Sequence, residues 1–275
     1  MNLLGIIAPT VLLFDSRYRF LYIIQKNIIK YSWCFIYFNI RMKSNVVTDF
    51  LGWTTEKGCL SPAIRTPSKM MVVGQSNCGK TYFLRNLLKI RPFEHNFFKI
   101  YFYYMEDQEI YKTIQNENPE IEFIHGFPEK FPSHEGKHTL VILDDMITEL
   151  GDGKQIVELF LMGSHHKLVT CIMVSQSLYF NHKKYRLLSL QCNYLILFRS
   201  PRDSSQISPL SFQVFPTKPG FIKNVFWKIC HEKMFASLFL DLSQQTQDFL
   251  RVWSDILENP VVYMWSMPDT ETKTA

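Results

Sequence analysis

The chain has 275 residues, of which 47% are apolar and 20% charged, enough to bury a sizeable core. That composition excludes a disordered chain, a collagen-like chain and a disulfide-stapled miniprotein. The formal charge of +5 is local: residues 1–43 carry six basic side chains against Asp15 alone, and the other 232 residues hold 24 of each sign, so the net charge says nothing about the main body.

The first 45 residues are rich in Ile, Tyr and Phe, yet Asp15, Arg17, Arg19, Lys26 and Lys30 interrupt any run long enough to span a bilayer. No basic residue precedes the first apolar run, as a signal peptide requires. Residues 1–45 are read as an apolar, basic extension outside the domain, in preference to a membrane anchor, with Met42 an alternative start. No stable membrane association is expected. Six cysteines without a CxxC, and eight histidines without zinc spacing, are read as free thiols and metal-free imidazoles of a reducing, intracellular compartment.

From residue 69 strands and helices alternate. Residues 70–73 form a short apolar run ending in a glycine turn, as a buried parallel strand does. Residues 81–90 follow as a helix with Phe83, Leu84, Leu87 and Leu88 on one stripe, and Pro92 closes it. Strands are expected at 99–104, 121–125, 139–143, 169–174 and 192–198, with helices at 109–116 and 155–165. Residues 199–219 read as a Pro/Ser/Arg-rich loop. Residues 242–258 read as a helix, because Leu242, Phe249, Leu250, Trp253, Ile256 and Leu257 share one helical face. The expected architecture is an α/β three-layer sandwich with a mostly parallel central sheet. It would span residues 46–268, with a helical C-terminal part from about residue 225 and a polar tail at 269–275.

Three motifs carry chemistry. Gly74, Gln75, Ser76, Asn77, Cys78, Gly79, Lys80 and Thr81 match GxxxxGK[ST] between a strand and a helix. Such a loop turns its N–H groups on phosphates at the positive end of the helix; Lys80 would reach the β- and γ-phosphates of ATP and Thr81 would ligate Mg²⁺. The strand at 139–143 ends in Asp144 and Asp145, placing one carboxylate for Mg²⁺ and one to orient or deprotonate a water. An Asp is one methylene shorter than the Glu usual at the second position. The strand at 169–174 ends in Ser175-Gln176, and in a sheet where it neighbours the Asp144 strand, Gln176 would face the γ-phosphate. Upstream of it, His165 and His166 read first as a cation pair at a helix C-terminus, and otherwise as a contact to DNA or a neighbouring subunit.

Charge also divides the body: residues 94–158 hold 14 acids against five bases, and residues 183–233 hold nine bases against two acids. The basic part suits contact with a phosphate backbone, or pairing with the acidic part across a subunit interface. Arg186, Arg199 and Arg202 are candidates for an arginine supplied in trans to the γ-phosphate.

Taken together, GQSNCGKT, VILDDM, GSHHKLVTCIMVSQSLY, CNYLILFRSPRDSSQI and the following QVFP resemble the genome-packaging ATPases of Polinton/Maverick elements and related double-stranded DNA viruses, in the FtsK–HerA group of P-loop NTPases. The resemblance spans roughly residues 67–219. It implies a RecA-like (ASCE) fold, ATP and Mg²⁺ as cofactors, and catalytic roles for Lys80, Asp145, Gln176, Arg186 and Arg202. Arg186 is placed by the family's arginine in the turn before the last core strand, and Arg202 by the PRD-like turn. It further implies a homo-oligomeric ring acting on double-stranded DNA, capsid or portal-like partners, and a setting in a virion or in the nucleus or cytoplasm of an infected or element-bearing cell. Two other readings stay open: a P-loop kinase of small metabolites, and a decayed, transposon-derived nucleotide-binding interaction protein.

Overall fold

The structure is a computed structural model that describes residues 10–13, 22–25, 63–128, 132–146, 160, 168–179, 188–201 and 204–264. Two short strands, β1 (Thr10–Leu13) and β2 (Tyr22–Gln25), form an antiparallel pair of their own. The remaining strands make one nine-stranded sheet.

Its parallel part is built from β3 (Lys69–Val73), β4 (Lys99–Tyr104), β5 (Ile121–His125), β6 (Thr139–Asp144), β7 (Val169–Ser175) and β8 (Tyr194–Phe198). Strands β3, β6, β7 and β8 are buried at every position, as both-face coverage requires of their continuous apolar runs. The order is β8-β3-β7-β6-β4-β5, with parallel pairing throughout. Strand β7 therefore lies between the strand that leads into the glycine loop and the strand that ends in Asp144.

Beyond β8 the sheet continues antiparallel through β9 (Ser237–Asp241), β10 (Val252–Ser254) and β11 (Val261–Tyr263). Helices α1 (Lys80–Ile90) and α2 (Glu109–Glu117) cover one face. Their Phe83, Leu84, Leu87, Leu88, Tyr111 and Ile114 pack on Met70, Val72, Ile142, Ile172 and Ile196. Helices α3 (Ile207–Val214) and α4 (Phe221–Glu232) cover the other, burying Leu210, Ile222, Val225 and Phe226 against Met71, Leu143, Met173 and Leu197. Successive residues of β3 thus enter opposite cores, and the result is the α/β/α sandwich of the P-loop NTPases.

Three sequence expectations are corrected. The stretch 199–219 is not all loop: a 3₁₀ turn (Ser204–Gln206) leads into α3. Pro209, which reads as a loop marker, stands in the first turn of α3, where a missing N–H costs nothing. The stretch 242–258 is not a helix. It holds a 3₁₀ turn (Asp248–Leu250) and β10, whose Val252 and Trp253 enter opposite cores. The stripe that mimics a helix is broken at Arg251, whose Nη1 donates to the Asp241 and Ser243 carbonyls and folds the segment back beside β9. The part beyond residue 225 is accordingly the end of one helix followed by three strands. Helix α4 and strand β9 have no counterpart among the expected elements, although Phe221, Ile222, Val225, Phe226, Ile229 and Cys230 recur at helical spacing. The helix expected at 155–165 lies outside the described residues except Phe160, which is helical and buried. His165 and His166 lie outside them as well.

Candidate nucleotide site

The C-terminal edge of the parallel strands opens into a cleft of about 1100 Å³. The glycine loop, Asp144, Asp145 and Gln176 all line it or border it.

The loop is held by its two glycines. Gly79 has φ 102° and caps α1; Asn77 has φ 63°. Gly74 donates its N–H to the Ser175 carbonyl at 3.1 Å, tying the loop to the end of β7. A Cβ at Gly74 would stand 2.5 Å from Cys78 Sγ and 2.7 Å from Phe198 Cβ, so the position has no room for a side chain. The Lys80 ammonium donates to the carbonyls of Gly74 (2.7 Å) and Gln75 (2.9 Å). Helix α1 has no acid in its first turn, so its positive end faces the cleft uncompensated by its own residues. Burial pushes the Cys78 thiol up, and it packs as a neutral group beneath the loop.

Asp144 is 4% exposed, and its Oδ2 accepts a hydrogen bond from the Tyr111 hydroxyl at 2.8 Å. Burial raises its pKa, against the opposing effects of the Tyr111 bond and the Lys80 charge. Burial first, and the neighbouring Asp144 carboxylate next, hold the Tyr111 hydroxyl far above its ordinary range, so it stays a donor. Asp145 follows with φ 52°, and its Oδ2 accepts from Gln176 Nε2 at 2.9 Å. The structure thus joins the ends of β6 and β7 through one side-chain bond. Gln176 keeps its amide oxygen and a second N–H for other partners.

Thr81 and Asp144 line the same cleft and offer a hydroxyl and a carboxylate, hard oxygen donors of the kind Mg²⁺ takes. Among the described residues no group of three or more His, Cys, Asp or Glu could hold an ion by itself. A magnesium ion here would complete its shell with phosphate oxygens and water. The burial cost of the Asp144 charge is one that a divalent cation offsets.

Residues 61–193 match the family described as Poxvirus A32 protein. The match covers just under half of the 275 residues and contains the glycine loop, Asp144, Asp145 and Gln176. No curated protein matches the chain. Among solved structures, the genome packaging NTPase B204 from Sulfolobus turreted icosahedral virus 2, in complex with AMPPCP, is 15% identical, with a TM-score of 0.45, over 73% of this chain and 98% of that one. The same protein with ATP-gammaS is 14% identical, with a TM-score of 0.41 over the same shares. EssC (ATPases 2 and 3) from Geobacillus thermodenitrificans is 11% identical, with a TM-score of 0.39, over 73% of this chain and 40% of that one.

Of the three candidate arginines, Arg199 is exposed at the end of β8, and Arg186 and Arg202 lie outside the described residues. The sequence reading misses Tyr111, whose role comes from a contact 33 residues distant and leaves no local signature. It also misses Gln206, which holds the segment that follows β7: its Oε1 accepts from the Leu178 N–H at 3.0 Å, and its Nε2 donates to Ser177 Oγ at 2.9 Å. The four described cysteines, Cys78, Cys171, Cys192 and Cys230, are free thiols, and among the described residues no helix is long and apolar enough to cross a membrane.

Proposed function

We propose that this chain hydrolyses ATP with Mg²⁺ and uses the cycle to move double-stranded DNA into a viral or virus-like capsid, working as a homo-oligomeric ring. The observation that carries the proposal is the bond between Gln176 and Asp145 at the mouth of the cleft that also holds Lys80. It supports a reading in which Asp145 accepts a hydrogen bond from the attacking water while Gln176 fixes the carboxylate and contacts the γ-phosphate. Lys80 and the loop N–H groups bind the phosphates, and Thr81 with Asp144 would hold the metal. Mg²⁺, when bound, neutralises charge on the β- and γ-oxygens. The reaction needs positioning and charge stabilisation more than covalent help, which suits a site of fixed donors and a buried carboxylate. An arginine from a neighbouring subunit, with Arg186 and Arg202 the candidates, would complete the γ-phosphate site.

Coupling to DNA rests on the motif resemblance and on the poxvirus-type match. Gln206 offers a route for it, because a shift of Gln176 on loss of the γ-phosphate would pull Ser177, Leu178 and the start of α3. Lys218 and Lys223, beside and on α4, are exposed cations available to a phosphate backbone. The test is ATP turnover with and without duplex DNA, on the native chain and Lys80→Ala. Turnover should rise with DNA in a length-dependent, salt-sensitive way and vanish in Lys80→Ala. Turnover indifferent to DNA, with phosphate passed to a small acceptor, would overturn the motor in favour of a kinase.

A further inference from the structure

Residues well outside the glycine loop also line the cleft. Its far half is walled by the corner between α4 and β9 and by the loop between β10 and β11. At that corner Met234 is 80% exposed and Phe235 62% exposed, large apolar side chains left open to the cleft. Phe235 has φ 59°, a left-handed conformation that a bulky residue adopts only at a cost. Its Cβ stands 3.5 Å from the position a Cβ on Gly79 would take, so the ring lies directly against the phosphate loop. Ile256 and Leu257, from the loop between β10 and β11, line the cleft as well. Lys233 ties the two walls together, its Nζ donating to Asp255 at 3.1 Å and lying 3.6 Å from Glu258.

We propose that this half of the cleft is the nucleobase subsite, and that Phe235 is the residue against which the base stacks. The inference rests on the ATP reading above and adds to it which residues take the base and ribose. Charge sets the orientation. Lys80 and the positive end of α1 stand at one end, and the carboxylates of Glu232, Asp255 and Glu258 at the other. Of the two lysines that line the cleft, Lys233 is already paired with Asp255 and Glu258, so Lys80 is the one that draws the phosphates. The base brings a flat apolar face with N–H donors at its edge, and the ribose brings hydroxyls, all of which suit an aromatic wall rimmed by carboxylate acceptors. Continuity with the phosphate loop makes a nucleotide the occupant in preference to a second protein.

The test compares equilibrium binding of ATP and of inorganic tripolyphosphate to the native chain, Phe235→Ala, Phe235→Trp and Lys80→Ala. Phe235→Ala should weaken ATP on the order of tenfold, the usual worth of one base–aromatic stack, and leave tripolyphosphate unchanged. Phe235→Trp should keep ATP affinity near the native value. Phe235 is exposed, so its loss removes no core contact, and unchanged tripolyphosphate binding doubles as the check on the loop. The subsite is overturned if Phe235→Ala leaves ATP affinity intact or weakens both ligands equally. A native chain that binds neither ligand, or a Lys80→Ala chain that binds both as well as the native one, overturns the nucleotide reading itself.

Discussion

On the floor of the cleft Asp144 is a carboxylate stripped of water, and one phenol keeps it satisfied. Removing that phenol leaves a buried acceptor short of a donor. Tyr111→Phe should therefore cost about 1.5–3 kcal/mol of stability, the usual worth of a hydrogen bond to a charged group. The check is a lower urea midpoint at an unchanged m-value. Gly74 makes a second prediction at this scale. Gly74→Ala should lose ATP binding and destabilise the fold by about 1–3 kcal/mol through overpacking. Cys78 can swing away from the added methyl, but the Phe198 Cβ is attached to the end of β8 and cannot. Gly74→Ala combined with Cys78→Ala should thus remain unable to bind ATP in a titration, and restored binding would show that the thiol was the whole obstacle. The glycine loop and the two acids were legible because their chemistry is written in consecutive residues. Tyr111 and Phe235 were not, since each acts on a partner far away in the chain.

Among the elements, the parallel strands were readable because burial on both faces demands an unbroken apolar run, and β4 and β5 match their expected limits. The C-terminal strands were not, because β10 and β11 are three residues each and owe their pairing to β9. A helix through 242–258 would leave Val252 at the edge of the apolar stripe, whereas the strand buries it fully, opposite Leu240. Val252→Asp distinguishes the two. It should cost at least about 3 kcal/mol as an unpaired buried charge, and calorimetry should show a collapsed unfolding temperature. A near-neutral effect would restore the helix. Pro209 carries the converse lesson: the residue that ends helices elsewhere stands within the first turn of α3, so proline marks a boundary without saying on which side the helix lies.

Across the whole molecule, charge separates by sequence half yet is partly cancelled in space. Acids of the first part pair locally, Arg85 with Glu117, Arg91 with Glu120 and Lys99 with Glu122. At the opposite end of the parallel strands from the cleft, His95 and His138 stack with ring centroids 4.4 Å apart, and His138 Nδ1 finds no hydrogen-bond partner among the described residues. Burial, and then the neighbouring His95, depress the His138 pKa below its ordinary 6.5, while Glu94 opposes them. A histidine with a depressed native pKa favours the fold in its neutral form. Its stabilising effect is complete above about pH 6.5 and is lost as the pH falls below that value. The urea midpoint should accordingly drop between neutral pH and mildly acid pH, and His138→Phe, which keeps a ring against His95, should flatten that part of the profile. An unchanged slope in the variant would place the acid sensitivity elsewhere.

The glycine turn, the two adjacent acids and the strands that carry them can be read from consecutive residues, because motif and periodicity are local properties that survive without a fold. The packing of the whole sheet sets β7 between β3 and β6, which brings Gln176 onto Asp145. It also decided that Tyr111 holds Asp144 and that three antiparallel strands, in place of a helix, close the far wall of the cleft. Each of these depends on which strand finds which neighbour, a choice made by burying two faces of one sheet at once, and no single segment contains that information.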